Sequence, residues 1–526
     1  MSGYKIWRCI YVITLFQMGA QEISTPSIIN GKIIIDKAGN YYVINHLKIT
    51  EKNDDVPLLE IAHSDVMIDF QNFTIEGALA KNRNIGIKVA PHVSNVVIKN
   101  GAIKNCSGSG LVLGESCFNV SFNNFLFQNI LSPTISIDNG GAISFENVKV
   151  LSIRAETDSA KYVLGKFNTV GMYLFEAVHK IENDCLVKNM TINHLYQNGD
   201  ENTCAAVVAQ NIGNLNFEHM LITGFRGIEV YGFYFDRIYA SRMISVTIDR
   251  IIAHDDSTSR VVGMCFDRCS DCLVKDSLIY GCRSDNSLIG IEWTGSSFEP
   301  PYAQHLTIED VRISQNYGKH TIFGIKGQNG KHNLIKHCQI ISNRNQIEEY
   351  LDTDVAAGIS IYDFEEVSQI TNSDICLQFG LGRVFGIVLG LDSTFGYYPL
   401  MTIIDNNKLY NNVSVFSCYG FRDYSVPGGF YPSATVLTNN VAIGQGPVFK
   451  LGTSSVSDDE RFMNYYSYDI KQNPVGIVDE LPVTDLNSSA RLVGNALNRS
   501  YVSLDLIPFL TDAKKRLAFM RRHALG

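Results

Sequence analysis

Residues 86–129 read GIKVAPHVSNVVIKNGAIKNCSGSGLVLGESCFNVSFNNFLFQN. A glycine-led tetrapeptide with apolar second and fourth residues occurs twice in this stretch, at Gly86 and Gly110. Each copy is followed by an apolar–any–Asn step that ends on another apolar residue three positions later, which places Asn100 and Asn124. The tetrapeptides alternate with the period of short strands. Asparagine tolerates the left-handed backbone region and bonds neighbouring backbone groups, so a recurring Asn marks a tight bend.

Both patterns continue outward from this stretch. Glycine-led copies follow at Gly171, Gly227, Gly263, Gly290, Gly324, Gly358 and Gly386, with weaker copies at Ala142 and near Ala206. The bend position reads Asn72, Asn100, Asn124, Asn147, Asn189, His219, Arg250, Asp276, Asp310, His337, Asn372 and Asn406. Most successive copies lie 23 to 35 residues apart, with one gap of 42. Such a period with variable loops is that of a solenoid. The expected fold is all-β: a right-handed parallel β-helix of about a dozen coils.

The totals agree with one long repetitive architecture. The chain has 526 residues, 45% of them hydrophobic and only 18% charged, below the usual share of a soluble domain. A net charge of -9 and the lack of a basic stripe along the sequence argue against nucleic acid as a partner. No apolar run reaches transmembrane length. Lys5 and Arg8 precede an apolar run from Cys9 to Phe16, with Gly19 and Ala20 after it, the layout of a secretory signal or an N-terminal cap over 1–22. The solenoid is expected over 23–445. A capping or assembly region follows over 446–526 and ends in an amphipathic helix from Leu506 to Ala524.

The chain contains 12 cysteines. Cys265, Cys269 and Cys272 have the C-x3-C-x2-C spacing of a cluster site, and Cys282 would complete a zinc set. A chain with this much core needs no disulfide framework, so the favoured reading is cysteine as a small core residue.

The paired patterns resemble the pectate-lyase-like right-handed β-helix superfamily, over residues 28 to 445. The resemblance implies three strands per coil, an asparagine ladder at one bend, and a substrate cleft over the glycine-led strand. Alternation along that strand buries its apolar residues and turns the residue between them outward. In the middle coils the outward positions are Glu229, Cys265, Glu292 and Lys326, and two residues later Tyr231, Asp267, Thr294, Gln328 and Tyr362. Trp293 alternates inward.

In that alignment Glu229 and Glu292 lie two coils apart, about 9.6 Å between backbones, with Asp267 beside them. Inverting glycoside hydrolysis uses carboxyls at about such a separation. Lys326 one coil beyond is placed either to lower the pKa of Glu292 or, if its own is depressed, to act as the base in β-elimination. Outward positions of any solenoid are polar, and charges on adjacent coils pair with one another. What singles out this patch is its place on the strand where the superfamily keeps its catalytic groups.

Loop residues Arg226, His254, Asp255, Asp256, Arg260, Arg283 and Asp285 precede these strands. The adjacent Asp pair is shared with polygalacturonases, but that family's Asn-Thr-Asp, His-Gly and Arg-x-Lys marks do not follow here in order, so its active site is not transferred.

The expected protein is therefore a secreted or surface carbohydrate-active β-helix, a polysaccharide lyase or inverting glycoside hydrolase. Its expected catalytic residues are Glu229, Asp267, Glu292 and Lys326, and its substrate-binding residues Tyr231, Arg226, Gln328, Tyr362 and Asp256. Elimination would employ Ca²⁺, which prefers clustered carboxylate oxygens; hydrolysis needs no metal. The alternative is a non-catalytic adhesin, spike or fibre that binds surface glycans, for which assembly as a homotrimer is expected.

Overall fold

The computed structural model describes residues 27–29, 32–48, 56–78, 84–156, 163–175, 185–194, 203–254, 258–295, 303–345, 354–362, 368–376, 378–380, 383–390, 401–410, 412–414, 417–423, 434–438 and 440–443. The expected signal or cap (1–22), the Asp255 and Asp256 pair, and the C-terminal region with its helix lie outside these residues. Every regular element described is a strand, and nearly all pairings are parallel. No helix among the described residues is long and apolar enough to cross a membrane. The fold is a right-handed parallel β-helix, and its coils form two compact units, 1–197 and 198–526.

In the first unit one sheet stacks Lys32–Ile35, Pro57–Ile61, Ile85–Val89, Leu111–Leu113, Ile135–Asp138 and Thr169–Phe175. Its first edge is covered by the antiparallel strand Ser27–Ile29, which removes an open row of backbone donors and acceptors. A second sheet stacks Val66–Asp69, Ser94–Lys104, Phe118–Leu131 and Gly141–Arg154. The Ala142 copy of the glycine-led pattern belongs to this second sheet, and the strand that follows Leu111–Leu113 in the first sheet is Ile135–Asp138. Inward residues such as Ile87, Leu111, Ile135 and Met172 are fully buried, each contributing about 1.5–3 kcal/mol of apolar burial.

The bend column of this unit is an asparagine ladder. Asn72, Asn100, Asn124, Asn147 and Asn189 all have positive φ, between 52° and 65°. The Asn124 amide donates to the Asn100 Oδ1 at 3.2 Å, and Asn189 donates to Asn147 at 3.2 Å.

The second unit adds a third, narrow sheet: Arg226–Gly227, Ile252–Ala253, Arg283–Ser284, Tyr317–Gly318, Arg344–Asn345, Phe379–Gly380 and Val413–Ser414. Its coils therefore turn twice where the sequence pattern assumed one bend. The first bend holds His219, Ser245, Asp276, Asp310, His337, Asn372 and Asn406, each amide donating to the coil above as far as Asn372. Arg250, expected in this column, stands at the second bend with Gly281, Gln315 and Ser342. Ser245 fills its place.

Residues just after these left-handed positions point inward. Several are buried Asn or Ser that bond from coil to coil, such as Asn343 accepting from the Asn316 amide at 3.1 Å. Others are cysteines. Cys338 and Cys282 each donate the thiol to a nearby carbonyl, and both sulfhydryls are pushed up to about 12 by burial. The ten described cysteines are buried and form no disulfide with one another, and none joins a group with metal-ligand spacing among the described residues.

The first sheet of this unit decides the site. Its strands are Thr203–Gln210, Glu229–Asp236, Arg260–Asp267, Ser287–Thr294, Thr321–Gln328, Val355–Tyr362 and Arg383–Leu389. A glycine column, Gly232, Gly263, Gly290, Gly324 and Gly358, runs through them. A Cβ on Gly263 would stand 2.4 Å from the Gly290 carbonyl oxygen, so only glycine allows the coils to approach here. At this column the strict alternation breaks. Phe233 and Phe235 both pack on Phe217 inside, while the Tyr231 and Tyr234 rings meet each other edge-on at 5.4 Å.

Candidate functional site

Two tetrapeptides in this coil fit the glycine-led pattern, at Gly227 and at Gly232. Gly227 belongs to the narrow third sheet, and Gly232 is the one in register with Gly263 and Gly290. The outward column aligned with Cys265, Glu292, Lys326 and Ser360 therefore starts at Tyr234. Glu229, expected there, instead lies between Thr203 and Arg260, five residues earlier on the strand. The separation of Glu229 and Glu292 along one column does not occur, and the inverting pair drawn from it is withdrawn.

The remaining polar residues do converge. Asp236, Asp267, Thr294 and Gln328 occupy successive coils of one column, beside Tyr234, Cys265, Glu292 and Lys326 in the next. The Asp236 carboxylate accepts from Gln210 at 3.0 Å and from Arg237 at 3.0 and 3.2 Å. Arg268 spans the two aspartates, donating to Asp236 at 2.7 Å and Asp267 at 3.1 Å. Asp267 also accepts from the Thr294 hydroxyl at 3.1 Å. Burial pulls the Arg268 guanidinium down, and the two aspartates outweigh it, so its affinity for the proton rises. Asp267 keeps 25% of its side chain exposed, against 7% for Asp236; it is the accessible member of the pair.

Glu292 is closed in. Its carboxylate is 5% exposed and accepts from the Arg260 guanidinium, with the Cys265 thiol 3.9 Å away. Burial lowers the Arg260 guanidinium, and Glu292, together with smaller contributions from Tyr231, Cys265 and Glu229, more than restores it. Tyr231, expected to offer an exposed aromatic face, is 1% exposed. Its phenol is pushed far above the usual range by burial, with Arg260 pulling the other way. The break in alternation at Gly232 places Tyr231 and Tyr234 on one face, and Tyr234 is the half-exposed ring. Lys326 lies 5.1 Å over the Phe323 ring and pairs in register with Glu292.

Of the other expected binding residues, Gln328 is on the band, Arg226 belongs to the third sheet, Tyr362 shares the Gln328 column by its backbone, and Asp256 is not among the described residues. Trp293 is fully buried, as its alternation implied. Sequence reasoning missed Asp236, Tyr234 and Arg268, and had Arg260 only as a loop residue. The signal was present in GFYFDR, residues 232–237, which repeats the glycine-led pattern as faithfully as the Gly227 copy did.

The residues do not fit Ca²⁺. Calcium requires six or more oxygen ligands, and here each carboxylate of the band is already engaged by an arginine. Among the described residues one group, Glu309, Asp310 and His337, brings ligand atoms together. Glu309 is held there by Lys275 at 3.4 Å and Lys336 at 3.2 Å, so ammonium groups already fill the cation's role. All three residues sit at the ladder bend, on another sheet.

No protein-family model and no curated protein matches this sequence. Solved structures do. The periplasmic alginate epimerase AlgG is similar at 9% identity, TM-score 0.40, covering 77% of this chain and 84% of that one. The tailspike protein of E. coli bacteriophage HK620, in complex with a pentasaccharide, is similar at 10% identity, TM-score 0.30, covering 76% and 72%. PfbA, a surface adhesin of Streptococcus pneumoniae, is similar at 10% identity, TM-score 0.20, covering 62% and 82%. At such identities the likeness concerns fold, and activity does not follow from it. The chain itself has the parallel β-helix fold.

Proposed function

We propose that the outward face of the first sheet in the second unit binds a polysaccharide and acts on it, with Asp267 and Lys326 at its centre. One observation carries this reading: Asp236, Asp267, Thr294 and Gln328 form an unbroken polar column beside Tyr234, Glu292 and Lys326 on successive coils. An extended glycan lying across parallel coils meets one hydrogen-bonding side chain per coil, with the half-exposed Tyr234 ring for a sugar face. A polysaccharide partner accords with a secreted or surface location.

The reaction class follows from what the acids touch. A hydrolytic general acid is a carboxyl that keeps its proton in a poorly solvated pocket without a counter-cation. Glu292, Asp236 and Asp267 all have an arginine against them. In β-elimination a base takes the proton beside the sugar carboxylate and a cation holds that carboxylate, while the bond to the 4-oxygen breaks and the departing oxygen takes a proton from water. Asp267 and Lys326 supply the pair, so elimination is the favoured chemistry. Binding without chemistry, as in an adhesin, spike or fibre, is the second reading. The same engagement of every acid by arginine favours it.

Incubation with a panel of polyuronates and neutral glycans, followed by ultraviolet detection of unsaturated ends and by reducing-end assay, separates the outcomes. Elimination yields unsaturated products from a polyuronate, and reducing ends without unsaturation indicate hydrolysis. Glycan binding with no product on any member of the panel sinks the enzymatic reading and leaves the binding one.

A further inference from the structure

The sequence has no basic stripe, yet the fold assembles one. On the narrow third sheet, the outward residues of five successive coils are Arg226, Ile252, Arg283, Tyr317 and Arg344, paired in unbroken register. The partners of these residues along the strands, Gly227, Ala253, Ser284, Gly318 and Asn345, are buried, so alternation turns the column outward. Arginine recurs on every second coil, which separates successive arginine backbones by about 9.6 Å.

Two of the three charges in this column, Arg283 and Arg344, are weakly compensated. Arg226 is exposed, and Arg283 keeps 55% of its side chain exposed. Arg283 lies over the Tyr317 ring at 5.0 Å and, among the described residues, approaches one carboxylate, Asp285 at 3.5 Å, which it shares with His254. Arg344 is half-buried, and its guanidinium has no hydrogen-bond or ion-pair partner among the described residues. Burial alone pulls its proton affinity down. A partly desolvated guanidinium without an anion is the feature a carboxylate or sulfate would complete. Lys319 and Arg250 flank the column; Arg250 is taken by Asp249 at 2.6 and 2.8 Å. In a chain of net charge -9 this narrow face is a local reversal of sign.

We propose that the column Arg226, Ile252, Arg283, Tyr317 and Arg344 is a binding track for an acidic polysaccharide with one carboxylate or sulfate per disaccharide. A linear chain running along the stack would meet a guanidinium at every second coil, with Ile252 as an apolar platform between the first two and the Tyr317 ring supporting Arg283. Duplex nucleic acid presents a phosphate about every 3.4 Å along each strand, far denser than these arginines, so a sparsely charged polymer is the better match. The track lies on a different sheet from the site proposed above and does not depend on that assignment.

The test is titration of the full chain with labelled hyaluronan oligosaccharides, followed by fluorescence anisotropy at low and physiological salt. Dextran and single-stranded oligothymidylate serve as comparison ligands. Hyaluronan is expected to bind, to weaken as salt rises, and to bind more tightly than either comparison. Replacing all three arginines (Arg226→Gln, Arg283→Gln and Arg344→Gln together) should weaken binding at least about tenfold, since three partly exposed contacts are lost. Arg344→Lys should recover only part of the Arg344→Gln loss, because an ammonium lacks the planar fork. An unchanged melting curve shows that the exposed substitutions leave the fold intact. Lys149→Gln, an exposed substitution on the second sheet, should leave this titration unchanged, and the first-sheet site is read separately by release of unsaturated products, so failure of either site registers on its own. Absence of hyaluronan binding, native affinity in the triple variant, or tighter binding of oligothymidylate each overturns the proposal.

Discussion

The Arg260 guanidinium donates to the carboxylate of Glu292 on the next coil, passing over the glycine column to do so. The pair is asymmetric in exposure: 32% of the arginine side chain is open, against 5% of the glutamate. Arg260→Gln therefore strands a buried carboxylate and is expected to cost about 2–3 kcal/mol. Adding Glu292→Gln to the same chain should return most of that loss, because the stranded charge is gone. Urea denaturation of the two single variants and the double variant measures the coupling. Additive losses would show that the two groups do not act as a pair.

Asp267 and Glu229 should separate cleanly in function. Asp267 sits on the polar band, bridged to Asp236 by Arg268 and bonded to Thr294, whereas Glu229 is displaced toward the other end of its strand. Asp267→Asn is expected to lower glycan turnover by about a hundredfold or more, the scale of a lost general base, with little change in melting temperature. Glu229→Gln should stay within about twofold of native. Equal losses in both variants would return Glu229 to the candidate site and overturn the separation of the two residues.

How much of this was legible beforehand depended on the length over which a pattern repeats. The asparagine ladder of the first unit was visible because one residue type meets one steric demand: Asn100, Asn124 and Asn147 all hold φ near 55°. In the second unit Ser, Asp, His and Gln satisfy the same demand, and the extra bend of the third sheet was hidden, so Arg250 was placed one bend early. The glycine pattern marked the strands, but it could not choose between Gly227 and Gly232, five residues apart. An error of that size moves a residue from one sheet to another. The arginine track was illegible for a different reason: Arg226, Arg283 and Arg344 are about sixty residues apart in the chain, and only closed coils bring them together.

The glycine column offers a stability test with a defined steric cause. An alanine Cβ at Gly290 would lie 2.5 Å from the Gly324 carbonyl oxygen and 2.9 Å from Ile313. Neither neighbour can withdraw without breaking the stacking of coils. Gly290→Ala is expected to cost at least about 2 kcal/mol, seen as a lower urea midpoint. Gly165 provides the contrast in space: a Cβ there meets nothing within 4 Å, and only its φ of 64° opposes substitution. Gly165→Asn, a residue that accepts this backbone region, should be tolerated within about 0.5 kcal/mol. Similar costs at the two positions would remove close approach as the reason for glycine at 290.

The inner ladder at the second bend should be more costly to disturb than the outer one. Asn343 is fully buried, and its Oδ1 accepts from both the backbone and side-chain amides of Asn316, at 3.3 and 3.1 Å, while its own amide donates to the Ile313 carbonyl at 3.4 Å. Asn343→Leu keeps the volume but leaves two donors and one acceptor without partners in the interior, for an expected loss of about 3 kcal/mol. Gln315, directly before Asn316, is exposed and holds φ at 55°. Gln315→Asn places a residue better suited to that backbone region and should be neutral or stabilising by a few tenths of a kcal/mol, up to about 0.5. The two effects therefore differ in sign or by several-fold in size, although the positions lie on the same bend. Equal destabilisation by both variants in matched urea titrations would show that the bend is held by its backbone geometry and not by the buried amide ladder.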